Sequence, residues 1–356
     1  MILYIANIRN TIDREKKPVG HTEKSMKEAI SLIDHKYDCG IIGSNEILEC
    51  FDEKRKITLP FTQQYKQKRN RISSFIKDFL NTQVVLKRIG KTDTAWFIIM
   101  SEGVFWGIAL SPKGNKRILA TMYLDYKDHF LNASRFNSLR RFIFNKACRK
   151  IDLAITTNKH FVMPCRYIFL PDYYLSDRVK SIVIGNKKKK VVCLGQMRES
   201  RDLDTLIEVF NNTSITLEVI GQFYDKNWYK NLREKASPNI VIQDRKITDE
   251  EYYQILAEAE YSIMPYDMRI YKGRTSGVLL DSVFMRCTPI APKELLDYNS
   301  IDGIKYNSLD EVPRMINQGI VIENDLQQFE IEKIQRKLLT ELDVILDETN
   351  RIEELS

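Results

Sequence analysis

Three junctions in the second half of the chain combine residues suited to holding an anion. "CLGQMRESRDLDTL" places Gly195 directly after an apolar run, with Arg198 and Arg201 ahead of an amphipathic stretch. "VIGQFYDK" repeats the apolar-run-then-glycine ending at Gly221, and "MPYDMRIYKGRTSGVLLD" leads from Pro265 through a polar loop to Arg274 and Thr275-Ser276-Gly277. A glycine at a strand end lets backbone N–H groups approach a ligand, and the unpaired N–H groups of a helix start favour negative charge. Two cationic strand ends beside a helix entrance suit a diphosphate. Asp202-Leu203-Asp204 is an acidic D-x-D of the kind that holds a metal–nucleotide complex. It also opens a helix, where aspartate is an ordinary cap, and it is read as a cap.

Such junctions need a frame of strands. "ILYIA", "YDCGIIG", "AWFIIM", "RILATMYL", "LAITT" and "YIFLP" are short apolar runs in the first half, with helical spacing over Glu23 to Ile33, Gln63 to Phe79 and Ser138 to Lys150. The pattern restarts with "KVVCLG", "ITLEVIG", "NIVIQ", "YSIMP" and "CTPIAP", separated by helices over Leu203–Phe210, Trp228–Lys235, Asp249–Ala259 and Gly277–Arg286. Short apolar runs alternating with helices predict parallel sheets covered on both faces, and two such sets predict two doubly wound α/β domains. The expected division is 1–178, 186–324 and a carboxyl-terminal helix within 325–356 that packs back on the first domain. That tail carries Phe329, Ile331, Ile334, Leu338, Leu339, Leu342, Ile345 and Leu346, which need a surface to cover.

At 356 residues, 43% apolar and 29% charged, the chain can bury two sizeable cores. Six scattered cysteines without a C-x-x-C pair suggest neither a zinc site nor a disulfide framework, and fit a reducing cytoplasm. Met1 leads into a short strand-like run rather than a signal peptide, and no window approaches a membrane span. The net charge of +7 is concentrated: between residues 63 and 91, Lys and Arg interleave with Ile72, Phe75, Ile76, Phe79 and Leu80 at helical spacing. This reads either as a surface facing an anionic partner such as a membrane, or as an amphipathic helix with a solvated charged face. "NKKKK", Asn186 to Lys190, has no interleaved aromatics and reads as a solvated linker, so no nucleic-acid partner is expected.

The block Val191 to Pro292 resembles the nucleotide-binding domain of GT-B glycosyltransferases, above all the retaining group related to glycogen synthase and to bacterial capsule and lipid glycosyltransferases. The likeness rests on the order of its parts: strand-Gly and basic helix start at Gly195 and Arg201, strand-Gly at Gly221, "AEYSIMPY", and "SGVLLD" followed by "TPIA". The resemblance implies a GT-B fold, two Rossmann-like domains facing across a cleft, and transfer of a sugar from a UDP- or GDP-linked donor. The implied acceptor is a glycan or lipid-linked acceptor in surface polysaccharide synthesis at the inner face of the plasma membrane, with no metal cofactor.

Arg201 stands where the family carries a lysine on the donor diphosphate. Gln196 replaces an arginine frequent after the first glycine, and Arg198 is its substitute. Ser276, Gly277 and Val278 would offer N–H groups to the terminal phosphate, and Asp281 would bind the ribose hydroxyls. A family glutamate over the donor sugar falls on Gly273, which leaves Asp267 to supply that carboxylate. Asp125 and His129, after "RILATMYL", would face the transferred sugar; Gly20, in "GHT", would meet the donor phosphates; Glu102 would line the acceptor side. A nucleotide-sugar epimerase of the same fold, and a non-catalytic basic protein that binds an anionic membrane or nucleic acid through its 63–91 segment, are the alternatives.

Overall fold

The computed structural model describes residues 1–12, 16, 22–33, 35–52, 55–64, 70–124, 126, 137–172, 174–175, 177–198, 200–271, 273 and 275–353. Two compact units emerge: Met1–Asp172 with Glu332–Ser356, and Tyr173–Ile331. No helix among the described residues is long and apolar enough to cross a membrane.

The first unit contains β1 (Leu3–Ala6), β2 (Thr11–Ile12), β3 (Cys39–Gly43), β4 (Lys56–Thr58), β5 (Gln63–Gln64), β6 (Thr94–Phe97), β7 (Arg117–Met122), β8 (Leu153–Thr156) and β9 (Tyr167–Phe169). Seven of them form a parallel sheet in the order β4-β3-β1-β6-β7-β8-β9, while β2 and β5 pair separately. Alternate residues such as Tyr4, Ala6, Phe97, Ile118 and Ala120 share one core with Val85, Phe105, Ile108 and Phe144 from the covering helices. The carboxyl-terminal helix Ile331–Glu353 buries Ile334, Leu338, Leu342 and Ile345. Asp343 of this helix accepts from Tyr37 Oη at 2.7 Å, Glu341 accepts from Arg166 Nε at 2.9 Å, and Gln335 Nε2 donates to Ser31 O at 2.8 Å.

One local expectation changes here, and one helix was not anticipated. The helix anticipated over 63–79 runs over Arg71–Arg88 instead, because Gln63–Gln64 pair with Thr11–Ile12 and Asn70 caps the helix by accepting from Ser73 N. Glu102–Leu110, "EGVFWGIAL", forms a helix that periodicity could not announce, since it is apolar nearly all round and buried on most sides.

The second unit contains β10 (Lys188–Leu194), β11 (Thr216–Gly221), β12 (Ile240–Asp244), β13 (Ala259–Ile263), β14 (Thr288–Pro292) and β15 (Ile304–Tyr306). They form a parallel sheet in the order β12-β11-β10-β13-β14-β15, the Rossmann order. Val191 and Cys193 point into one core with Leu206, Phe210 and Val219; Val192 and Leu194 point into the other with Leu279, Val283 and Ala291. Burial on both faces is why β10 ends as a continuous apolar run. The lysine run is part of this unit rather than a solvated linker. Lys188 and Lys190 lie in β10, bonded to Glu258 and Glu218 at 2.9 Å each, and Lys187 Nζ donates to Met285 O at 2.6 Å.

Candidate functional site

The order of the second sheet reverses between β10 and β13, and ligands of open parallel sheets bind outside the carboxyl ends of strands at such a switch point. Gly195 leaves β10 there with φ +108, in the region that favours glycine. A side chain at Gly221 would place its Cβ 1.7 Å from Gly195 O, so the close crossing of these two strand ends requires glycine at 221 as well. The following chain returns across β13: Arg201 pairs with Tyr266 in an antiparallel bridge, and Asp202 N donates to Pro265 O at 2.7 Å.

That return folds the Arg201 guanidinium inward, leaving the residue 6% exposed. Its Nη1 lies 3.4 Å from Cys193 Sγ, its Nη2 lies 3.4 Å from Tyr266 Oη, and its Cζ sits 5.1 Å from the centre of the Tyr266 ring. Burial pushes the Cys193 thiol above its ordinary pKa, so this partner is neutral. Tyr266 stacks on Tyr271 with ring centres 4.0 Å apart and nearly parallel planes, and its hydroxyl lies 3.2 Å from Ser276 Oγ. Among the described residues no carboxylate pairs with Arg201. A buried cation without an anion is costly, and an external anion is one partner that would offset that cost.

Ser276, 1% exposed, caps helix Gly277–Phe284 by accepting from Leu279 N at 3.3 Å. The N–H groups of Gly277 and Val278 open the first turn with no acceptor among the described residues. Val278 Cγ2 comes within 3.6 Å of where a Gly195 Cβ would stand, and Arg201 Nη2 within 3.0 Å. Gly195, Arg201, Gly221, Ser276, Gly277 and Val278 thus lie near one another at this end of the sheet.

Other expected residues are held by partners of their own. Arg198 is exposed; its Nη2 lies 3.0 Å from Tyr224 Oη and its side chain also meets Gln196, in a cluster at the ends of β10 and β11. Asp281 is 9% exposed and accepts from Tyr252 Oη at 3.0 Å and Tyr253 Oη at 3.2 Å on helix Asp249–Glu258. Burial and the Asp281 carboxylate push the Tyr252 phenol well above its ordinary pKa. The Asp267 carboxylate forms a fork with Arg269, at 2.9 Å to Nε and 2.6 Å to Nη2; these hydrogen bonds hold its pKa below the ordinary value, so it is an anion at neutral pH. Gly273, at the position of the missing glutamate, has φ +68 and accepts from Tyr298 Oη. Gly20, Asp125, His129 and Arg274 lie outside the described residues.

Asp202 is the expected cap, accepting from Thr205 N at 3.2 Å, while Asp204 accepts from Trp228 Nε1 at 2.8 Å. Among the described residues no three His, Cys, Asp or Glu side chains gather as a metal site would require. Sequence reasoning missed Tyr266 and Tyr271, although a tyrosine at a strand end and another five residues later, flanking a cationic loop, was a visible signal. It also missed a polar cluster at the end of β1, the switch point of the first sheet. Asp78, 1% exposed, accepts there from Arg9 Nη2 at 3.3 Å, Gln63 Nε2 at 2.6 Å and Ser101 Oγ at 2.7 Å. Fully buried Asn7 lies beside Arg9, accepting from its backbone N at 3.1 Å. Glu102, expected to line an acceptor, is bridged to Arg140 at 2.8 Å.

No family model matches the chain, and no curated protein matches it in sequence. Among solved structures, trehalose-6-phosphate synthase OtsA is similar at 9% identity and a TM-score of 0.63, over 96% of this chain and 98% of that one. The UDP-forming α,α-trehalose-phosphate synthase of Burkholderia xenovorans in complex with glucose-6-phosphate is similar at 9% identity and 0.59, over 98% and 99%. AviGT4, a glycosyltransferase involved in avilamycin A biosynthesis, is similar at 8% identity and 0.56, over 97% and 98%. With two Rossmann-like parallel-sheet units and a likeness that runs nearly end to end, the chain has the GT-B fold of glycosyltransferases.

Proposed function

We propose that the chain is a glycosyltransferase that moves a hexose from a nucleotide-sugar donor to a glycan or lipid-linked acceptor. Arg201 carries the reading: a buried cation beside the Cys193 thiol and the Tyr266 hydroxyl, near a helix start whose first N–H groups meet no acceptor among the described residues. As the glycosyl bond breaks, negative charge grows on the departing diphosphate, and preorganised donors in a water-poor pocket stabilise it without further rearrangement. One solved structure of similar fold holds UDP-2-fluoro glucose and others are UDP-forming synthases, which makes UDP-glucose the first donor to test and GDP-hexoses the next. With charge compensation supplied by Arg201 and the helix end, turnover proceeds without a divalent cation. The Asn7, Arg9, Asp78 and Ser101 cluster, within the first unit, is assigned to acceptor binding. Retention at the anomeric carbon and a bacterial-type surface polysaccharide acceptor complete the reading.

The test is release of nucleoside diphosphate from a panel of UDP- and GDP-hexoses, with and without chelator, and with magnetic resonance of the anomeric centre in any product. Turnover of one donor that survives chelation and is lost in Arg201→Met is expected. No release from any donor would sink the reading, and an isomerised donor or free sugar would favour an epimerase.

A further inference from the structure

Helix Arg71–Arg88 turns Asp78, Asn81, Thr82, Val85 and Leu86 inward. Its opposite side shows Ile72, Ile76 and Leu80, 73%, 47% and 36% exposed, one per turn. On the neighbouring helix Glu102–Leu110, Trp106 meets Phe75 edge-on with ring centres 5.9 Å apart and Leu110 is 50% exposed. Lone exposed aliphatics are ordinary, but a row of them joined to a neighbouring helix is an unpartnered face.

Charge decides what fits it. Helix Arg71–Arg88 carries Arg71, Lys77, Lys87 and Arg88, and its single carboxylate, Asp78, is buried and bonded to Arg9, Gln63 and Ser101. The single carboxylate of helix Glu102–Leu110 is Glu102, bridged to Arg140. The stripe is therefore flanked by cations at both ends, with no exposed carboxylate on either helix. We propose that this face docks on an anionic lipid membrane, aliphatic side chains entering the headgroup boundary and Arg71 and Lys87 meeting lipid phosphates. A membrane offers apolar depth and negative charge together. A two-fold contact with a second copy would set the same cationic surfaces against each other.

The test is sedimentation with vesicles of phosphatidylcholine alone and with one third phosphatidylglycerol, at low and high salt. The full chain is expected to bind the anionic vesicles, more weakly as salt rises, and to leave neutral ones largely unbound. The triple change Ile72→Gln, Ile76→Gln, Leu80→Gln should weaken binding at least tenfold without changing the melting temperature, because these side chains are already exposed. Arg71→Gln and Lys87→Gln should each cost about fivefold, on anionic vesicles alone. Absence of binding, equal binding to neutral vesicles, or binding unmoved by both sets of changes would overturn the proposal. So would a dimer dependent on these residues with no affinity for vesicles.

Discussion

Arg201 is a buried guanidinium whose donations to Cys193 Sγ and Tyr266 Oη are long, 3.4 Å each, and go to groups without formal charge. Asp281 is the opposite case, a buried carboxylate that two tyrosine hydroxyls need. Asp281→Ala is expected to lower unfolding free energy by about 1–3 kcal/mol, because Tyr252 and Tyr253 lose an acceptor. Tyr252→Phe should cost less, and chemical denaturation of the three proteins checks this order. Asp281→Asn keeps an acceptor of the same shape, so it is the variant in which a loss of nucleotide affinity would report on ribose binding. The positions of Gly195, Arg201, Ser276 and Gly277 were legible in the sequence because strand-glycine endings and helix starts are local signals. Tyr266, Tyr271 and Cys193 were not, because their role comes from the return of the chain across β13, which no local pattern encodes.

At the scale of elements, the crossing of β10 and β11 leaves no room for a side chain. Gly221→Ala is expected to destabilise the second unit by about 3 kcal/mol or more, since backbone rather than a flexible side chain must move; thermal melts with and without nucleotide read the loss. Asp172, after β9, gives the first unit a pH dependence. Burial, helped by the Glu28 carboxylate, pushes it up to about 7 from a model-peptide value near 3.9. The folded state then keeps a proton that the unfolded chain releases between about pH 4 and 7, so stability falls as pH rises through that window. Denaturant midpoints should be lower at pH 8 than at pH 5, and Asp172→Asn should flatten the slope. The strands were legible as short apolar runs, and most helices by period. The exceptions have physical causes: Glu102–Leu110 is buried nearly all round, and the "NKKKK" lysines extend a strand because Glu218 and Glu258 lie beside them.

For the whole molecule, the tail is structural to the first unit. Deleting 332–356 would uncover the sites that Ile334, Leu338, Leu342 and Ile345 cover, each worth about 1.5–3 kcal/mol, a sum comparable to the stability of a domain. The truncated chain is expected to lose the cooperative melt of the first unit while the second still melts. Two Rossmann-like units were legible from the restart of the strand pattern after residue 186, and the tail was expected to pack on the first domain, but which side chains it meets there, such as Tyr37 and Arg166, is a long-range matter that its amphipathic period does not encode. The account turns on Arg201 serving an external anion, and calorimetric titration of UDP and GDP into the wild type and Arg201→Met tests that most directly. The prediction is that one nucleotide binds the wild type, and that the variant binds it about ten- to a hundredfold more weakly while melting no lower, since a buried cation with no carboxylate partner among the described residues has been replaced by an apolar side chain of similar reach. A variant that binds as tightly as the wild type, or a wild type that binds neither nucleotide, would contradict it.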